Sequence, residues 1–100
     1  MVELDRIQAI LNKHPRFAAM SLKVEVMRES KKENYYGTSV RRFITDGVNS
    51  FQEEGIIKVN LRDIDEEKLL RVVAHEASHL LDDGVELENE LYSYLKEKLR

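Results

Sequence analysis

Apolar residues recur first at helical spacing. Val2, Leu4, Ile7, Ile10 and Leu11 form one stripe, which predicts a helix over Glu3 to Asn12. His14-Pro15 closes it, because a residue before proline is pushed out of the α region. His14 reads as a helix-end residue, where histidine suits the negative end of the dipole. The period then drops to two. Leu22, Val24 and Val26 alternate with Lys23 and Glu25, predicting a half-buried strand over about Ser21 to Arg28. A polar connection, Glu29 to Asn34, leads to Tyr35 to Thr45, whose aromatic and β-branched residues predict a second strand. Gly37 reads there as a bend or bulge. Asp46-Gly47 is a turn signal, and Asn49 to Gly55 reads as a loop or short helical turn. Ile56 to Asn60 is a third strand. Asp63 or Asp65 caps a helix running from about Asp65 to Leu81, which Asp82-Asp83-Gly84 ends with Gly84 as its left-handed cap. Leu87, Leu91, Leu95 and Leu99, at four-residue steps, predict a final helix over Val85 to Leu99. The expected fold class is α+β: an N-terminal helix, a small three-stranded sheet and two C-terminal helices.

Composition narrows this picture. One hundred residues make a single domain, 1–100, with one modest core. Hydrophobic residues at 42% and charged residues at 35% belong to the globular class. A net charge of −3 with interspersed signs argues against a nucleic-acid partner. No uncharged run approaches the ~20 apolar residues of a membrane span. The first residues lack the basic start and apolar segment of a signal peptide, so a cytoplasmic location is expected. Cysteine is absent, so any metal site must use histidines and carboxylates. Scarce Gln with abundant Glu, Lys and Arg is also the bias of heat-adapted (thermophile) proteins.

The chemistry concentrates in the long helix. His75-Glu76-Ala77-Ser78-His79 is His-Glu-x-x-His, with uncharged flanks Val73-Ala74 and Leu80-Leu81. Residues four apart on a helix lie one above the other, so two imidazoles can converge on one zinc ion. Glu76 points ~100° around the axis, too far to ligate the same ion but near enough to act as base on a water. Ala77 and Ser78 are expected to leave room above the metal. A zinc hydrolase has three protein ligands and an open position. No histidine follows His79, so the third ligand should be an acid of the final helix. Glu88 lies inside the arc of the leucine stripe and is preferred, Glu90 is second, and Glu86 lies farther round.

The stretch from Gly55 to Asn60, the helix from Leu69 to His79, and Glu88-Asn89-Glu90-Leu91 resemble the core of gluzincin metallopeptidases. The closest likeness is to the minigluzincins, soluble chains of this size related to the catalytic domains of membrane-embedded HtpX-like and CAAX-prenyl peptidases. It covers about Tyr35 to Leu99. The resemblance implies a minimal zincin-like fold, zinc on His75, His79 and a glutamate, Glu76 as base and acid, and a rim strand for the substrate backbone. Two features depart from the pattern. Related families often carry Asp four residues after the ligand glutamate. Here Tyr92 follows Glu88, Tyr94 follows Glu90, and Glu90 follows Glu86, so Glu86 and Glu90 can also be read as ligand and partner. Larger relatives also have a C-terminal subdomain that stabilises the oxyanion; Tyr92, Tyr94 and Arg41 are the candidates here. The resemblance further implies a latent zymogen in which the segment from about 92 to 100 covers the metal, within a monomer or through a helix-swapped homodimer.

These residues thus point to a zinc metallopeptidase acting on a peptide or protein substrate. A non-catalytic zinc-binding interaction or regulatory module, and a metal-free helical scaffold, are the competing readings. A structural zinc site has no use for a base between its histidines, which favours the hydrolase.

Overall fold

The first apolar stripe forms helix α1, Leu4–Asn12, which buries Ile7 and Leu11 completely. The structure is a computed structural model that describes residues 3–26, 37–45, 51–61 and 64–100. Lys13 caps α1, and a single 3-10 turn, Pro15–Phe17, follows. His14 is the N-cap of that turn rather than an exposed helix end. It is buried, its Nδ1 accepts from the Arg16 N–H at 3.1 Å, and its ring meets Tyr94 edge-on at 4.7 Å.

Three strands follow: β1 (Met20–Val26), β2 (Gly37–Thr45) and β3 (Phe51–Val59). The sheet order is β1-β3-β2, with β3 parallel to β1 and antiparallel to β2. The result is a small α+β domain with a mixed sheet. Met20, Leu22 and Val24 of β1 join Ile57 and Val59 of β3 in one core with the helices.

The expected loop over Asn49 to Gly55 is corrected, because its described part, from Phe51 onward, is strand. Acids in that strand hid it. Their charges are met across the sheet: Arg41 Nε lies 2.8 Å from Glu53, and Lys23 Nζ and Arg42 Nη2 each lie 3.3 Å from Glu54. Gly55 sits where a Cβ would fall 2.8 Å from both Leu80 Cδ1 and Met20 Sδ, so its bare backbone lets the helix layer close on the sheet. The beginning of the second predicted strand, the end of the first, and the Asp46-Gly47 turn lie outside the described residues.

One sheet edge is covered by side chains. Asn12 Oδ1 accepts from Leu22 N at 2.9 Å, Asn12 Nδ2 donates to Leu22 O at 3.1 Å, and Gln8 Oε1 accepts from Val24 N at 2.9 Å. Two amides of α1 thus imitate a neighbouring strand along β1.

Helix α2, Glu66–Leu80, starts at Asp65, whose side chain accepts from Lys68 N at 2.8 Å. Glu66 and Glu67 occupy the electropositive first turn. Its buried face, Leu69, Leu70, Val73, Ala74, Ala77 and Leu80, packs on β2 and β3 and on helix α3, Val85–Lys98. The α2–α3 junction corrects the expectation for Gly84. Asp82 takes the left-handed conformation (φ 52°), which Asp tolerates better than most residues, while Gly84 is extended and serves as the N-cap of α3. Asp83 bridges the two, accepting from Gly84 N at 2.8 Å and from Arg16 Nη2 at 3.0 Å; both contacts hold its carboxyl below the ordinary carboxylate range. Among the described residues, no helix is long and apolar enough to cross a membrane.

Candidate metal centre

Because α2 turns its apolar stripe to the sheet, its opposite side carries His75 and His79 outward, both exposed. Their Nε2 atoms are 2.9 Å apart and their rings stand at 89°. That is a hydrogen-bond distance, with one ring N–H donating to the other ring's lone pair, and the same two nitrogens could turn both lone pairs on one cation. Zinc–nitrogen bonds of about 2.0–2.1 Å accommodate two nitrogens roughly 3 Å apart.

Glu88, from the first turn of α3, reaches this pair. Its Oε1 lies 2.5 Å from His75 Nδ1. That is the ring nitrogen opposite the one facing His79. A carboxylate there fixes the tautomer, with the proton on Nδ1 and the Nε2 lone pair aimed at His79. The expected third ligand therefore sits behind His75 rather than beside the ion's place. Among the described residues, no three His, Asp or Glu side chains converge as a ready ligand set. His75, His79 and Glu88 form a hydrogen-bonded chain instead. The donors are still imidazoles and a carboxylate, which zinc accepts.

Glu76 is 9% exposed. With His75 and Glu88 it lines an open cleft of about 420 Å³, whose other walls are Gly37, Lys68, Arg71 and Val72. A Cβ at Gly37 would fall 3.1 Å from Glu76 Cγ, so the start of β2 presses directly on the proposed base. Ala77 and Ser78 do not frame a space above the histidines. Both are buried toward the core, and Ser78 Oγ donates back to His75 O at 2.7 Å. Ala77 lies about 200° around the axis from His75 and so faces away from it, whereas Ser78, three residues on, is turned inward with its hydroxyl on the His75 carbonyl.

The remaining candidates are placed elsewhere. Glu90 is exposed on the far side of α3, 3.8 Å from His14 Nε2, and Glu86 is exposed outside the cleft. Tyr92 is buried, its hydroxyl donating to Glu67 at 2.7 Å under the guanidinium of Arg71. Tyr94 packs on His14 and donates to Ile10 O at 3.5 Å. Arg41 Nη1 donates to Leu80 O at 2.8 Å while its Nε pairs with Glu53, so it ties β2 to the end of α2 just after His79. Residues 92–98 continue α3, and Arg6 Nη2 donates to Leu99 O at 3.5 Å; none of these residues lines the cleft.

Sequence reasoning missed Lys68, Arg71 and Val72 as a cleft wall. The signal was there: Lys68, Arg71 and His75 follow i, i+3, i+7 spacing on one helix face. Comparisons with protein-family models, with curated proteins and with solved structures found no significant match.

Proposed function

We propose that this chain is a zinc-dependent peptidase of the gluzincin type. The observation that carries the reading is the pair of imidazole nitrogens 2.9 Å apart, one residue from a nearly buried carboxylate that lines the same cleft. Among the described residues no buried side-chain oxygen lacks a partner, so the Glu76 carboxylate is satisfied by a donor or by solvent in the cleft it lines.

His75 and His79 are the residues that would hold zinc, with Glu88 fixing the orientation of His75. When bound, zinc supplies Lewis acidity and brings the pKa of a coordinated water toward about 7. Glu76 takes the proton from the attacking water on its carboxylate and returns it to the leaving amine nitrogen. Strand β2, at the sheet edge that the amides of α1 do not cover, offers backbone groups to an extended peptide. Arg41 keeps that strand in register with the end of α2.

A non-catalytic zinc-binding module keeps one supporting observation: Tyr92, Tyr94 and Arg41 all have other partners, so none is at hand as an oxyanion donor. Glu76→Gln separates the two readings. It should keep zinc and lose about 10²–10⁴-fold in cleavage of a quenched-fluorescent peptide. Unchanged cleavage would take Glu76 out of the mechanism.

A further inference from the structure

Resting on the peptidase reading, we infer that Arg71 forms a carboxylate-binding subsite that selects peptides bearing an acidic group near the cleaved bond. Lys68, Arg71 and His75 line one cleft wall. At 1.5 Å rise per residue, Arg71 is about 6 Å and Lys68 about 10 Å along the axis from His75. An extended peptide advances about 3.3 Å per residue, which places the acidic group roughly two to three residues from the reacting carbonyl.

Arg71 is built to receive an anion. Its guanidinium lies 3.8 Å over the Tyr92 ring, and Nη1 donates to Asn89 Oδ1 at 3.4 Å. Tyr92 is itself held by Glu67. The planar fork is thus oriented before anything binds, and most of its five donors are still available. Arg16, Arg41 and Arg42 are each paired with an acid. Arg71 has a ring and an amide as partners, and no carboxylate among the described residues. The acids of the cleft, Glu76 and Glu88, stand at its histidine end, where Glu88 is engaged by His75. The wall therefore runs from cationic to anionic toward the reacting centre. A peptide carboxylate, from an Asp or Glu side chain or from the chain terminus, suits the cationic end and forms the bidentate pair that Arg favours.

The test uses four fluorescent hexapeptides, with an internal Glu or Gln and a free or amidated C-terminus, titrated against the full chain by anisotropy. Wild type should bind at least one carboxylate-bearing peptide about tenfold tighter than the amidated Gln peptide, as a charge-assisted hydrogen bond predicts. Preference for the amidated Glu peptide assigns the side chain; preference for the free Gln peptide assigns the terminus. Arg71→Met and Arg71→Gln should abolish the preference while keeping the wild-type melting curve, and Arg71→Lys should keep part of it. Equal binding of all four peptides to wild type, or a preference that survives both neutral variants, overturns the subsite. Cleavage of the same peptides by the zinc-loaded chain is read separately. Selective binding without cleavage would overturn the peptidase reading alone, and cleavage without selectivity would overturn the subsite alone.

Discussion

Gly37→Ala puts one methyl group into the seam between β2 and helix α2. Its Cβ would fall 2.7 Å from Val72 Cγ1, 3.1 Å from Glu76 Cγ and 3.3 Å from Lys58 O. Carbon atoms rest at about 3.5–4.0 Å, so Val72 must yield by close to 1 Å. A β-branched side chain in a helix has essentially one rotamer and cannot swing clear. The strand and helix must part instead, at the cost of overpacking, about 1–3 kcal/mol. In a domain of this size that lowers the melting temperature by roughly 5–20 °C. On the proposed peptidase reading, turnover should fall further than stability does, because Glu76 moves with the seam and misplacing a general base by about 1 Å can cost 10²-fold. Thermal unfolding by circular dichroism of Gly37→Ala, Val72→Ala and the double variant isolates the contact. Removing Cγ1 makes room for the new methyl, so the double variant should be more stable than the sum of the single effects predicts. A Gly37→Ala chain that melts like wild type, or strict additivity, would refute the close approach.

Glu88→Gln should weaken zinc binding about 10–100-fold in competition with a chromophoric chelator, as expected when a histidine loses its orienting carboxylate. Unchanged affinity would deny Glu88 that role, and complete loss of zinc would make it a direct ligand. Asn12→Ala strips two hydrogen bonds from Leu22 and should cost about 1–3 kcal/mol in denaturant unfolding; an unchanged midpoint would mean that the β1 edge needs no cover. Burial pushes the Glu54 carboxyl up, but the hydrogen bond from Lys23 and the charges of Arg42 and Lys23 outweigh it and hold it below its ordinary 4.5. The stability from this group is therefore present above pH 4.5 and is lost as pH falls through the lower, folded-state value. Glu54→Gln should lower stability at neutral pH and flatten the acid limb of the stability profile, and a parallel limb would count against the assignment.

How legible each element was depended on where its partners lay. The period-3.6 stripes of α1, α2 and α3 were plain, because a buried helix face is written in consecutive residues. The first half of β3 was not, because Glu53 and Glu54 are neutralised by Arg41, Arg42 and Lys23 on other strands. His14 looked like a helix end because Tyr94, the residue that encloses it, is eighty positions away. His75 and His79 were legible because their geometry is local to one helix. Of the acids expected to supply a third ligand, Glu88 is the one that reaches the pair among the described residues, though it meets the ring nitrogen turned away from His79. Which ring nitrogen it meets depends on the tilt of α3 against α2, and spacing along one helix carries no information about that tilt.

Equilibrium zinc binding tests the account most directly. Wild type dialysed against micromolar zinc and analysed by plasma emission should hold one zinc per chain, with His75→Ala and His79→Ala each losing it and His14→Ala retaining it. A wild-type chain that takes up no zinc, or histidine variants that bind as wild type does, would contradict the central claim.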